Sequence, residues 1–363
     1  MKPLKDQFFN KAFVTQLATD LSAADFRFDA TKFIQRVLDK GWKARELKER
    51  MHHVTDCMHT ALEYSYKKSI ALLVRVAKTR IKENQTSFGD MVFPDFVERY
   101  GLDDFKTSVN ALEIFTVACS SEFAVRPFIV RYPREMMEVM LQWSKHNSEH
   151  VRRLASEGCR PRLPWGMALP EFKKDPRPVL KILENLKSDS SEYVRRSVAN
   201  NLNDISKDNV EIALKTAERW FGKNVETDAL VRHALRNELK KGNKRALKLF
   251  ALAHKTRARV TGLKIVPDNI QIGDSVRIEF SLVAGANERL RLEYWVYFVR
   301  AGGHNAKKVF QIAERDFSKG SRHSFNKKHR FQNFTTRKHY AGAHRIVVAV
   351  NGEKKAETQV LLH

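Results

Sequence analysis

The sequence predicts a mostly α protein, a solenoid of helical repeats followed by a smaller all-β sandwich domain, and three observations carry that expectation. A Val-Arg pair opens three related segments: VRRLASEG from Val151, VRRSVANN from Val194 and VRHALRNE from Val231. Apolar residues return at helical spacing from the N-terminus to about His254. Strict strand-like alternation begins only after Arg259.

The three segments start 43 and 37 residues apart, close to the roughly 40–47-residue period of HEAT and armadillo helix pairs. Such pairs stack into a curved solenoid with a concave face. In each copy Arg153, Arg196 or His233 stands four residues before Glu157, Asn200 or Asn237, so the two side chains share a helix face. Val194, Val198 and Leu202 form a separate i, i+4, i+8 stripe suited to packing. One face packs, and the other presents polar groups.

Ahead of the repeats, Glu46 to Met51 runs on through Val54, Met58 and Leu62, and Ile70 to Val76 forms a second helical run. Phe93-Pro94, Arg126-Pro127, Tyr132-Pro133 and Gly158-Cys159-Arg160-Pro161 are expected to stop helices. Beyond Arg259, Ser275 to Leu282 and Leu290 to Tyr294 alternate, and Arg345 to Val350 leads into Asn351-Gly352, a hairpin signal. Several short strands in 104 residues fit an immunoglobulin-like sandwich better than a barrel. The expected domains are therefore 1–256, HEAT-like, and 257–363, immunoglobulin-like.

The charge balance narrows the partner. Lys and Arg number 66 against 42 Asp and Glu, a net charge of +24, which favours a polyanion. From Arg257 onward the net charge is +11. There Lys319, Arg322, Lys327, Lys328, Arg330, Arg337 and Lys338 interleave with Phe325, Phe331 and Phe334. This stretch reads either as a long loop that carries cations to phosphates or as a solvated loop whose phenylalanines join the core. With no apolar run near 18 residues and no signal segment at Met1 to Asp6, a soluble, cytoplasmic protein is expected. Cys57, Cys119 and Cys159 lack any C-x-x-C spacing, so buried free thiols are expected rather than disulfides or a zinc site.

His146-Asn147-Ser148-Glu149-His150 matches an inverted zinc-protease pattern, but repeat alignment sets His150 over Tyr193, which cannot act as the matching ligand. Ser148 and Ser191 are instead expected to cap repeat helices. No phosphate-binding loop, nucleophile elbow or kinase signature is present. The informative acids are Glu122 in SSEFAVRPF, Glu157 at the polar repeat position, and Asp204 four residues after Asn200. All three can converge on one surface. Alternatively, Glu122 pairs with Arg126, Asp204 caps the residues from Ile205, and Trp165 is core.

The combination SSEFAVRPF, VRRLASEGCRPRLPW and RRSVANNLNDISKD resembles the AlkC family of bacterial DNA alkylation-repair glycosylases, relatives of AlkD built from HEAT-like repeats. The likeness covers about Leu4 to His254, and the C-terminal immunoglobulin-like domain of one AlkC branch matches the strands after Arg259. The resemblance implies hydrolysis of the N-glycosidic bond of cationic bases, chiefly 3-methyladenine and 3-methylcytosine, in duplex DNA, without rotating the lesion into a pocket. No lysine is singled out by the motifs, so a monofunctional enzyme that leaves an abasic site is expected, a monomer with no cofactor and no metal. The catalytic roles would fall to Glu122, Glu157 and Asp204, with Trp165 against the cationic nucleotide. Arg126, Arg153, Arg160, Arg162, Arg196 and Asn200 would contact DNA. The competing reading is a non-catalytic HEAT scaffold that binds DNA; it needs the arginines but not carboxylates facing a polyanion.

Overall fold

The computed structural model describes residues 3–334 and 338–363, so Arg337 of the basic stretch lies outside the described residues. The helices are α1 (Leu4–Phe8), α2 (Lys11–Ala24), α3 (Ala30–Val37), α4 (Leu47–Leu62), α5 (Tyr66–Lys82), α6 (Val92–Tyr100), α7 (Phe105–Ala118), α8 (Val125–Arg131) and α9 (Pro133–Trp143). They continue as α10 (Glu149–Gly158), α11 (Pro170–Lys174), α12 (Arg177–Leu186), α13 (Glu192–Asp208), α14 (Val210–Trp220), α15 (Val225–Ala234), α16 (Arg236–Lys241) and α17 (Lys244–Leu249). The strands are β1 (Arg259–Val266), β2 (Asn269–Ile270), β3 (Ser275–Val283), β4 (Glu288–Val299), β5 (Asn305–Phe317), β6 (Arg322–Arg330), β7 (Gly342–Val350) and β8 (Glu353–Leu362). Contacts gather them into two compact units: Met1–Ala213 with Gly222–Ala234, and Leu214–Phe221 with Leu235–His363.

In the first unit the two apolar runs are α4 and α5. Two of the four proline sites differ from expectation. Pro94 and Pro127 fall in the first turns of α6 and α8 instead of ending helices. A first turn has no intrahelical acceptor for those N–H groups, so proline loses nothing there. Tyr132-Pro133 ends α8 and opens α9, and the Gly158–Pro161 signal terminates α10.

The repeat helices α10 and α13 begin just before their Val-Arg pairs, whereas Val231-Arg232 falls near the end of α15, so His233 on α15 and Asn237 on α16 do not share a helix face as expected; α13 packs between α10 and α15. Val194, Val198 and Leu202 are all fully buried, each contributing about 1.5–3 kcal/mol of apolar burial. Ser148 and Ser191 occupy N-cap positions, but their side chains make no capping bond. The first repeat arginine instead ties each helix to the turn that precedes it. Arg152 Nη1 donates to the carbonyls of His146 and Asn147 at 2.9 and 2.7 Å, while its other nitrogens clamp Asp189 of the next repeat at 2.6 and 2.9 Å. Arg195 Nη1 reaches the carbonyls of Asp189 and Ser190 in the same way. The recurring Val-Arg pair thus couples a packing residue to a backbone staple. His146 is used locally, its Nδ1 accepting the Ser148 N–H at 3.0 Å.

The second unit holds two sheets, ordered β1-β3-β6 and β2-β8-β7-β4-β5. Their facing sides bury Val276, Ile278, Phe280, Leu282, Leu292, Val296, Phe331, Ile346 and Val348. β3 alternates as expected, whereas β4 is buried on both sides. Its second face carries Arg291 and Glu293, paired at 2.7 Å, and Trp295, which packs on Val347 and Ala349. The expected hairpin joins β7 to β8 through Asn351 and Gly352, both with positive φ (48° and 77°), the type I′ requirement. The stretch read as a basic loop is largely a strand: β6 pairs with β3 from Arg322 to Arg330. Its alternation explains the sequence, because Phe325 packs against the core while Arg322, Lys328 and Arg330 are exposed. Phe331 is buried, and Phe334 is exposed.

Candidate active site

The first unit brings the three singled-out acids together. Glu122 sits in the turn before α8, Glu157 in the last turn of α10 and Asp204 in the last turns of α13. They are linked by an alternating series of charges. Arg153 contacts Glu122 Oε2 and lies 3.5 Å from Glu157 Oε1. Arg160 bonds Glu157 Oε1 at 2.6 Å and Asp204 Oδ2 at 2.8 Å. Lys207 closes the series on Asp204 Oδ1 at 2.8 Å. Three carboxylates thus share three cations.

Most of this network is enclosed: Asp204 is 2% exposed and Glu157 5%. Burial by itself would lower the Arg153 and Arg160 guanidiniums, but the neighbouring carboxylates outweigh it and hold both above their ordinary value. Buried charges persist only when paired and hydrogen-bonded, and hydroxyls complete the set. Ser120 Oγ donates to Glu122 Oε2 at 2.8 Å, and Ser197 Oγ donates to Glu157 Oε2 at 2.6 Å. Glu157 therefore has both oxygens held. Glu122 is held through Oε2, and Asp204 Oδ1 is held by a half-exposed lysine. Glu122 Oε1 and Asp204 Oδ1 are therefore the oxygens most open to a ligand.

Trp165 is not core. Its side chain is 65% exposed on the loop between α10 and α11, and its φ is +63°. A bulky residue in that conformation costs about 1–3 kcal/mol and must be held by its surroundings. Lys48 Nζ donates to the Trp165 carbonyl at 2.5 Å and lies 4.8 Å from the centre of the Phe123 ring. A Cβ on Gly166 would meet Phe123 at 3.2 Å. The indole loop therefore lies against the residue that follows Glu122.

The expected DNA contacts divide into two groups. Arg126 and Arg160 are enclosed, at 0% and 7% exposure, which overturns the phosphate-contact expectation for both in this structure. Arg126 donates to the carbonyls of Gly158 (2.8 Å), Arg160 (2.9 Å) and Met167, so it satisfies the orphan carbonyls at the end of α10 and in the Trp165 loop. Burial pulls its guanidinium down to about 10. It does not pair with Glu122. Arg153 is engaged by Glu122 and Glu157. Arg162 is more open but chelates Asp208 at 2.7 and 2.6 Å. Arg196 is the most exposed, at 70%, with Glu192 only at 4.0 Å. It borders a groove of about 340 Å³ between α13 and α15. Asn200, one turn on, meets His233 Nε2 at 3.1 Å.

Sequence reasoning missed Ser120, Ser197, Lys207 and Lys48. Ser197 had a usable signal: it stands where the other repeats carry Leu154 and Ala234, and a polar residue at a packing position needs a buried partner. Lys48 had none, being 117 residues from Trp165.

The comparisons with known proteins agree with this geometry. Residues 95–254 match the family model of the DNA alkylation repair enzymes, and residues 259–363 match that of the C-terminal Ig-like domain of the uncharacterised protein YhaZ. Protein YhaZ of Bacillus subtilis (strain 168) is 41% identical over 355 residues, which is 98% of each chain. The solved structure of the Pseudomonas fluorescens alkylpurine DNA glycosylase AlkC, bound to DNA containing an abasic site analog, aligns over 100% of both chains at 37% identity with a TM-score of 0.94. With a helical-repeat region matching the DNA alkylation repair enzymes and a β-sandwich following it, the chain belongs to the AlkC family of DNA alkylation-repair glycosylases, in the branch that carries a C-terminal immunoglobulin-like domain.

Proposed function

We propose that this protein hydrolyses the N-glycosidic bond of cationic alkylated bases, 3-methyladenine and 3-methylcytosine, in duplex DNA, and leaves an abasic site without nicking the strand. One observation carries the reading: Glu122, Glu157 and Asp204 share one ionic network, and the exposed Trp165 lies on a loop packed against Phe123. A scaffold that only binds DNA has no use for three carboxylates there.

The chemistry follows from the charge of the lesion. When the bond from the sugar C1′ to a cationic base breaks, its electron pair neutralises the base, so no acid is needed to protonate the leaving group. Positive charge develops on the sugar instead, as in other glycoside cleavages. Glu122 Oε1 and Asp204 Oδ1 would face that charge, and one of them would orient the attacking water and take its proton. Asp204 is the first choice for the water, with Lys207 moving to a backbone phosphate as DNA arrives. Glu157, with both oxygens held, acts as the fixed anion that keeps Arg153 and Arg160 in place. The Trp165 face would attract the cationic nucleotide by about 0.5–2 kcal/mol. The lesion would stay unrotated, with the solenoid reaching the sugar from outside the stacked duplex. Arg196 would contact a phosphate.

The test is product analysis on duplex DNA with a single 3-methyladenine or 3-methylcytosine. Free methylated base and an intact, alkali-labile strand are expected. A covalent complex trapped by borohydride would overturn the monofunctional reading, and DNA binding with no base released would favour the scaffold.

A further inference from the structure

We propose that Lys48, on the first turn of α4, is a positioning residue that holds the Trp165 indole in its working orientation; this rests on the role given above to Trp165. Trp165 occupies a left-handed backbone conformation, φ +63°, that an aromatic residue does not adopt unaided. The loop that carries it is closed on itself, with Leu169 N–H donating to the Pro161 carbonyl at 3.2 Å and Gly166 N–H to the Leu163 carbonyl at 3.2 Å. Both ends of the loop are anchored from inside by Arg126 through the Gly158, Arg160 and Met167 carbonyls.

Those bonds fix the loop and hold the Trp165–Gly166 peptide through its N–H, but none of them takes the Trp165 carbonyl. Lys48 supplies that contact. Its ammonium meets the Trp165 carbonyl at 2.5 Å and stands over the Phe123 ring at 4.8 Å, so one cation joins α4, the Glu122 turn and the indole loop. Phe123 in turn limits the space beside Gly166, where an added Cβ would lie 3.2 Å from the ring. Without the ammonium, that peptide is held through its Gly166 N–H alone, and the indole gains freedom to leave its working orientation. Lys48 therefore acts through Trp165 and touches no reacting atom.

The experiment is a double-mutant cycle with Lys48→Met and Trp165→Ala, read as single-turnover release of 3-methyladenine. Lys48→Met keeps the aliphatic stem on Phe123 and removes the charge. The expected loss is about tenfold, the scale of a modest misplacement of a transition-state contact. That loss should disappear in the Trp165→Ala background, and Lys48→Arg should recover most of the rate. Equal losses in both backgrounds, or a shallower salt dependence of DNA binding in Lys48→Met, would make Lys48 a phosphate contact and overturn the proposal. A second readout does not depend on catalysis. The Trp165 part of the nanosecond anisotropy decay, obtained by subtracting the Trp165→Ala counterpart, should gain fast motion in Lys48→Met. No gain would refute the tether even if the protein released no base, whereas a gain without base release would leave the tether standing and the glycosylase reading fallen.

Discussion

Arg160 is where the structure departs furthest from a plain reading of charge, and replacing it gives the sharpest test of the network. Arg160→Met removes the cation that joins Glu157 Oε1 to Asp204 Oδ2 at 2.6 and 2.8 Å. Both acids stay buried. Breaking a buried pair from one side costs about 3–5 kcal/mol. The lower end applies, because Glu157 keeps Ser197 and a longer contact to Arg153, and Asp204 keeps Lys207. At about 2–4 °C per kcal/mol for a unit of this size, a loss of about 3 kcal/mol lowers Tm by roughly 6–12 °C. Thermal unfolding followed by circular dichroism reads the helical transition, with the β-sandwich transition as an internal reference. Adding Glu157→Gln and Asp204→Asn, which removes the uncompensated charges, should recover most of the loss. DNA binding measured across salt should keep its slope, since an enclosed guanidinium releases no counterion. An unmoved Tm together with a slope shallower by about one would refute the account and make Arg160 a phosphate contact.

Three further outcomes follow from the geometry. Arg196→Ala should weaken duplex binding and make its salt slope shallower by about one, and an unchanged slope would remove Arg196 from the interface. His52 Nδ1 lies 2.9 Å from Oδ1 of the buried Asp95, and that carboxylate holds the imidazole above its ordinary value despite burial and the nearby Arg99, with Glu98 assisting. The pair's stabilisation is thus complete below about pH 6.5 and fades as pH rises through the raised value. The Tm gap between wild type and His52→Asn should therefore be widest in acid and close toward alkaline pH; a gap that widens with pH would reverse the assignment. Gly352→Ala should destabilise the second unit by about 1–3 kcal/mol or more, because φ is +77° and the new Cβ would lie 2.6 Å from Gly242 Cα. Urea unfolding of the β-sandwich transition measures it, and an unchanged midpoint would contradict the close approach.

Much of the architecture was legible because it rests on period. The Val194, Val198, Leu202 stripe, the alternation in β3 and the Asn351-Gly352 turn are all local patterns that burial rewards directly. The errors share a different cause. Pro94 and Pro127 read as stops because sequence alone does not say which side of a helix start a proline falls on. The second face of β4 looked solvated because Arg291 and Glu293 are charged, and only their pairing with each other and Glu314 makes burial tolerable. The site divides in the same way. Glu122, Glu157, Asp204 and Trp165 were singled out through motifs, but Arg126 and Arg160 were assigned to phosphates because a basic chain invites it. Arg160 has Glu157 three residues back, but its second acid, Asp204, and the Gly158, Arg160 and Met167 carbonyls held by Arg126 are 32 to 44 residues away, and no spacing rule brings them together.

The central claim is that Asp204 completes a catalytic centre, and single-turnover release of 3-methyladenine by wild type and Asp204→Asn tests it most directly. The substitution keeps the side-chain shape and leaves Arg160 its bond to Glu157. Removing one electrostatic stabiliser of a transition state costs about 10²–10³ in rate, and that loss, with duplex affinity retained, is the predicted result. Asp204→Asn releasing base as fast as the wild type would contradict the account.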